Sequence, residues 1–348
     1  MALGIDTAKP LNQSQARWKQ FFDIWQESPV FAGRYFGDIQ PGFPSDHAWV
    51  PGELSSLPAD SPLQALRYIL PLATPGPFDT TRPASKSQHN LGGQPVFFRQ
   101  QGETRDGAHV ANSTVRSNGQ IDATATCKQI AAALSFVTTA GQPELVLPDS
   151  ERVFVFLDVE PQTALHPEYW LGWAETISGF IVTKKTDIGT LALAQPFRPC
   201  LYCVVREDPI NPAFGFPADH PGPWPEIATA FQETGFLSVR IRGRHACHGL
   251  ASLWPVNAFA SVQDSVNATE AEAQAKFPTY APLGQSVGVD APVVTWQYQI
   301  NIGMDAAGNL FDATAAGAPV PVFEIDLSLS RSDPYENQPI TDYMLRRP

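Results

Sequence analysis

The chain lacks any apolar run long enough to cross a bilayer, and its first residues, Met1-Ala2-Leu3-Gly4-Ile5-Asp6, have neither the basic start nor the apolar stretch of a secretory signal. Membrane insertion is therefore not expected. Basic residues are also scarce. Lys and Arg number 23 against 35 Asp and Glu, a net charge of −12 with no basic block, which argues against nucleic acid or anionic lipid as a partner. Cysteine, at 4 residues, is too rare for a disulfide scaffold. Charged residues make up 17%, below the usual quarter, while 43% hydrophobic residues allow a sizeable core. Proline (33) and glycine (25) are the abundant types, and they imply many shaped loops.

The most informative stretch is Val153-Phe154-Val155-Phe156-Leu157-Asp158-Val159-Glu160-Pro161. Five apolar residues rich in Val and Phe read as a strand buried on both faces, as in a parallel sheet. The strand then ends in two carboxylates two residues apart. Side chains alternate along a strand, so Asp158 and Glu160 are expected on one side of its C-terminal end. Chemistry in α/β barrels is built at that end, and two convergent carboxylates can hold different pKa values there.

The remaining pattern is strand, crossover, strand. Leu3 to Asp6 reads as a first strand ending in a carboxylate. Asn12 with Gln15 suggests a capping box, and Trp18, Phe21, Phe22 and Trp25 at helical spacing predict an amphipathic helix to Glu27. Val30–Phe36 and Leu66–Ala73 read as the second and third strands, with a weak helix or loop over 53–65. Residues 74–120, rich in Gly, Pro, Ser, Asn and Gln, read as a long insertion overhanging the carboxylate end, with a strand-like island at Val96–Gln100. A helix is expected from Asp122 to Thr139, closed by Gly141. A second should open at Pro167 and run to about Lys184, with Trp170, Trp173 and Ile177 buried. Further strands are expected at 201–205, 237–242, 253–259, 293–300 and 322–328, with short helices at 225–231 and 269–276. The fold expected is a single-domain α/β chain over 1–348, a flattened TIM-like (β/α) barrel with its insertion after strand three.

Cys200 and Cys203, with His245, Cys247 and His248, suggest zinc at first sight. In a strand, however, a spacing of three puts the two sulfurs on opposite faces, whereas a structural zinc needs convergent thiolates. Buried thiols are expected, with no metal and no cofactor. His166 is expected to cap the helix that follows it.

Four points coincide in order: Gly4-Ile5-Asp6, Leu157-Asp158-Val159-Glu160, Trp296-Gln297-Tyr298 and Ile325-Asp326-Leu327. Together they resemble glycoside hydrolase family 25, the lysozymes that cleave between N-acetylmuramic acid and N-acetylglucosamine in peptidoglycan. Gly33-Arg34-Tyr35-Phe36, Leu70-Pro71-Leu72 and Asp122-Ala123 are similar to a bacterial glycoside-hydrolase-like relative of that family. The resemblance implies Glu160 as general acid and Asp158 as the residue orienting the acetamido group or assisting the nucleophile. It also implies that Asp6 and Asp326 shape the charge at the cleavage point. Tyr35, Trp296, Gln297 and Tyr298 would then bind substrate. The acids that precede this Asp-X-Glu pair in chitinase-like barrels are replaced here by Phe156 and Val153, which removes the chitinase reading.

The partner this implies is peptidoglycan or a related N-acetylated glycan, reached from the cytoplasm by lysis or a specialised secretion machine, with an immunity protein as a further expected partner. A non-catalytic glycan-binding or scaffold module on the same barrel is the alternative. An amidase or other hydrolase using His166 or the Cys/His cluster with a metal is a third.

Overall fold

The computed structural model describes residues 1–7, 9–37, 48–73, 89–91, 94–96, 112–159, 167–185, 191–203, 259, 261–276, 295–313, 315, 317–330, 332 and 338–348. The strands are β1 (Ala2–Asp6), β2 (Phe31–Phe36), β3 (Tyr68–Ala73), β4 (His89–Leu91), β5 (Gln94–Val96), β6 (Val153–Val159), β7 (Val182–Lys185), β8 (Leu191–Ala194), β9 (Phe197–Cys203), β10 (Thr295–Met304), β11 (Leu310–Asp312), β12 (Phe323–Ser330) and β13 (Leu345–Arg346). The helices are α1 (Gln15–Trp25), α2 (Asn112–Ser135), α3 (Pro167–Gly179), α4 (Val262–Asn267) and α5 (Glu270–Lys276).

Nine strands form the main sheet, in the order β11-β10-β12-β1-β2-β3-β6-β9, with β13 paired to β3. β1, β2, β3, β6 and β9 are parallel to one another. β12, β10 and β11 extend the sheet antiparallel beyond β1. β4–β5 and β7–β8 are separate antiparallel pairs. The mixed α/β class agrees with the expectation, and among the described residues the sheet is open between β9 and β11.

Strand alternation sorts the core onto two faces. On the helix side, Leu3, Ile5, Ala32, Ile69, Ala73, Val153, Val155 and Leu157 join Ile325, Leu327 and Leu329 against α1, α2 and α3. Trp18, Phe21, Phe22 and Trp25 are all buried there, as their spacing predicts, and Trp18 meets Phe323 edge-on at 4.7 Å. On the other face Phe31, Leu70, Leu72, Phe154, Phe156 and Cys200 form a smaller cluster. At their N-terminal end the strands are covered by the C-terminal segment. Its 3-10 turn, Ile340–Tyr343, stacks Tyr343 on Phe154 at 4.4 Å, and β13 then pairs with β3. Gly4 is needed on this face because the Phe31 ring lies where its side chain would be, 2.2 Å from an ideal Cβ. The C-terminal end of the same face carries Asp6, opposite Asp326 of β12.

Several boundaries differ from the sequence reading. α2 begins at Asn112, ten residues before Asp122, so it reclaims the end of the supposed insertion. Gly119 and Gly172 explain this: each sits against the backbone of the other helix, and packing overrides the low helix propensity of the Gly-Asn-Ser stretch. Gly141, at φ +77°, turns a short hairpin-like segment, where the Thr138 N–H donates to Gln142 O, and so does not cap the helix. α3 stops at Gly179, and Lys184 belongs to β7.

The expected capping box at Asn12 does not form. The Asn12 side chain donates to Ser56 Oγ at 2.8 Å, Gln15 donates to Leu11 O at 2.7 Å, and the helix starts after Ser14. A capping box does open α5. There the Thr269 N–H donates to Glu272 Oε2 at 2.8 Å and the Glu272 N–H donates to Thr269 Oγ1 at 3.3 Å. Most of the Val96–Gln100 island, the strand expected at 237–242, all but Phe259 of the strand expected at 253–259, and the helix at 225–231 lie outside the described residues.

The 53–65 segment is mostly turns, and one buried carboxylate organises its start. Glu144, 3% exposed, accepts the backbone N–H groups of Gly52, Leu54 and Ser55 at 2.7–2.9 Å. Removing it would strand these donors away from water. Glu144→Ala is expected to lower unfolding free energy by about 3 kcal/mol, read by urea denaturation; a loss below roughly 1 kcal/mol would mean that water replaces the carboxylate.

Candidate functional site

Asp6 is the last residue of β1, and two strands flank it in register: Gly33 of β2 on one side and Asp326 of β12 on the other. Two carboxylates far apart in sequence are therefore directly opposite each other across an antiparallel pair. Residues opposite one another share a face. Asp6 is buried at 7% exposure. Asp326 is half-buried, and its Oδ1 accepts the Asn301 N–H at 2.6 Å from β10. Asn301 holds φ +53° beside a shift in the β10–β12 register, so an irregularity in the ladder aims this N–H at the carboxylate.

Along β12 the residues that share this face are Glu324, Asp326, Ser328 and Ser330. Exposure falls along them, from an exposed Glu324 through a half-buried Asp326 to Ser328 and Ser330 at 3% and 1%. The row thus descends from solvent into the interior. Glu324 was missed in the sequence, although its spacing of two from Asp326 was a usable signal. The residue is exposed, yet the surrounding protein desolvates its carboxyl enough to raise its pKa above the ordinary Glu value, with the Lys9 charge opposing the rise.

Behind Asp6 stands a buried ion pair. Arg34 and Glu53 are both wholly buried and bonded bidentately, Nη2 to Oε1 at 2.8 Å and Nε to Oε2 at 3.0 Å. Arg34 Nη1 also donates to the carbonyl of Thr7 at 2.7 Å, the residue that follows Asp6. Burial raises the Glu53 pKa, and the charge and hydrogen bonds of Arg34 oppose that rise. Arg34 occupies the helix-side parity of β2, and Tyr35 the parity of Gly33. Tyr35 is half-buried against the smaller cluster, and its carbonyl accepts the Trp49 N–H at 2.7 Å.

The remaining candidates divide. Asp158 is in β6, in register with Tyr202 of β9, and has the strand parity of Phe154 and Phe156. Glu160 and His166 lie outside the described residues, as do the side chains of Trp296 and Gln297. In the backbone register Trp296 is opposite Leu329 and Gln297 opposite Ser328. Tyr298, expected to face a sugar, is 1% exposed in the helix-side core, with its ring 6.1 Å from Phe259. It belongs to the same core cluster as Ile325 and Leu327, beside a shift in the β10–β12 register between Gln297 and Gln299, so it takes the core role.

Two described cavities, of about 720 and 510 Å³, lie elsewhere. One runs along α2 beside Gly37 and Lys128, and the other sits under the C-terminal segment beside Tyr68 and Arg152. Of the residues that suggested zinc at first sight, Cys200 is buried in the smaller cluster, while the Cys203 side chain and His245, Cys247 and His248 lie outside the described residues. Among the described residues no three His, Cys, Asp or Glu side chains converge as a metal site, and no helix is long and apolar enough to cross a membrane.

No protein-family model matches the chain, and no curated protein matches it. A solved structure aligns along nearly the full length: a 1.07 Å crystal structure of an uncharacterized B. stearothermophilus protein, with 15% identity and a TM-score of 0.48, covering 99% of this chain and 100% of that one. The likeness is too distant to bear on function.

Proposed function

We propose that the chain is a glycoside hydrolase acting on peptidoglycan, a muramidase with Glu160 as general acid on a flattened (β/α) barrel. The observation that carries this reading is the pairing of Asp6 with Asp326 at the end of β1, the same end of the parallel sheet near which Asp158 lies in β6. Glycoside cleavage needs a protonated acid next to groups that stay ionised. Asp6 and Asp326 supply negative charge that raises the proton affinity of a neighbouring acid, and Glu160 follows β6 directly.

The register is compatible with this reading if the sheet curls. Asp6 is level with Gly33, and Gly33 with Leu70. Extending the Leu72–Phe156 register two residues back makes Phe154 level with Leu70. Asp158 is four residues farther along β6, about 13 Å at strand rise. In an eight-stranded barrel of shear 8, height shifts by about one residue per strand, so three strand steps remove about three of those four residues. Curvature would also shorten the separation across the sheet, about 14 Å if three strand spacings lay flat.

The test is clearing of purified cell walls together with the release of reducing ends. Glu160→Gln is expected to lower the rate at least ~100-fold with an unchanged unfolding midpoint. Clearing by that variant at the wild-type rate would remove the assignment. Saturable wall binding by the wild type with no new reducing ends would favour the non-catalytic module.

A further inference from the structure

We infer that Gly33 is a positioning residue for Asp6: it leaves open the space that the Asp6 carboxylate occupies on the C-terminal end of the sheet. This rests on the reading of Asp6 as part of a hydrolase site, but its geometry stands independently. An ideal Cβ on Gly33 would lie 3.0 Å from Asp6 Oδ1, 3.1 Å from Cγ and 3.4 Å from Oδ2. The whole carboxylate therefore lies across the β2 backbone at a position where any other residue would crowd it. Contacts this tight make the neighbour give by a few tenths of an ångström.

The backbone offers no competing reason for the glycine. Gly33 is absent from the positive-φ residues, so alanine fits its conformation, and it pairs in regular register with both Asp6 and Leu70. What alanine changes locally is the room beneath Asp6. Nor can Asp6 move back with its chain. The carbonyl of Thr7 is held by Arg34 Nη1 at 2.7 Å, and Arg34 is itself locked to Glu53. Asp326 stands opposite on the other flank. A methyl group at position 33 thus displaces the carboxylate and leaves the strand in place. Gly33 and Arg34 are adjacent in sequence but serve opposite faces of β2, one giving room to the side chain and the other fixing the chain behind it.

Two measurements test this on the full chain. Carboxyl-¹³C aspartate labelling, with the Asp6 signal assigned by its loss in Asp6→Ala, reads the environment of the carboxylate without reference to activity. Gly33→Ala is expected to shift both the chemical shift and the titration midpoint of Asp6 and to leave in place the aspartate signals other than that of Asp326, its cross-strand neighbour. An Asp6 signal that titrates as in the wild type would overturn the inference. On peptidoglycan fragments, Gly33→Ala is expected to lower kcat roughly 4-fold with KM little changed, since an ångström of misplacement is worth up to about 100-fold. In the Asp6→Ala background the same substitution is expected to leave the thermal midpoint unmoved; an equal drop in both backgrounds would make Gly33 merely structural. Should the wild type release no reducing ends, the hydrolase reading falls, and the Asp6 titration and the stability cycle still decide the role of Gly33.

Discussion

Arg34→Met is expected to destabilise the fold by about 3–5 kcal/mol at neutral pH, because it leaves the Glu53 carboxylate buried without its counter-charge. Both partners are fully buried, and the guanidinium also serves Thr7 O and, at 3.5 Å, Ala48 O. The pH dependence gives the mechanism a signature. Burial already raises the Glu53 pKa, and removing Arg34 removes the charge and hydrogen bonds that oppose the rise. A carboxyl whose folded pKa exceeds its unfolded value binds more protons when folded. Its stabilising contribution is complete below the unfolded value, near ~4.3, and is lost as pH rises through the folded one. The variant should therefore lie closest to the wild type near pH 4 and fall behind as pH rises. Urea unfolding across that range checks it, and a cost independent of pH would mean that lost packing dominates. Adding Glu53→Leu to the variant should recover stability, since a buried pair replaced by apolar side chains leaves no stranded charge.

Gly172→Ala is expected to cost about 3 kcal/mol, the upper part of the range for overpacking. A Cβ on Gly172 would lie 2.0 Å from the carbonyl oxygen of Arg116, and one on Gly119 would lie 2.2 Å from that of Tyr169. Both obstacles are backbone, so no side chain can rotate away and the helices must separate. Separation would also stretch the 2.7 Å hydrogen bond from Tyr169 to Asp122 and the pairing of Arg116 with Glu175. Gly119→Ala should cost a similar amount. The double variant should cost less than the sum, because one separation relieves both clashes. Additive losses, or a loss below about 1 kcal/mol for either variant, would show that the helices approach less closely than this.

Elements with a strong local signal were legible in the residues alone. The Trp18-Phe21-Phe22-Trp25 stripe sets the buried side of α1, and the Val/Phe run sets β6, because spacing and burial are coupled at short range. The start of α2 was hidden: Gly119 and its polar neighbours read as loop until the other helix supplies the contact that holds them. The Asn12/Gln15 box failed for the same kind of reason, as Asn12 is engaged by Ser56, 44 residues away. Within the candidate site, Asp6 at the end of β1 and Asp326 within β12 could be named from sequence. Glu324 could also have been found, two residues from Asp326; the Arg34–Glu53 pair and the core role of Tyr298 could not.

The sequence by itself determined the strongly patterned elements, β1, β2, β3, β6, β12 and α1, the buried side of α1, and that Asp6, Asp158 and Asp326 end or interrupt apolar strands. Only the tertiary structure decided that Asp6 lies opposite Asp326, that Gly33 gives its carboxylate room, and that the C-terminal segment covers the far end of the strands. The physical reason is range. Propensity and alternation act over a few residues, whereas register, close approach and desolvation depend on which distant segments share a face.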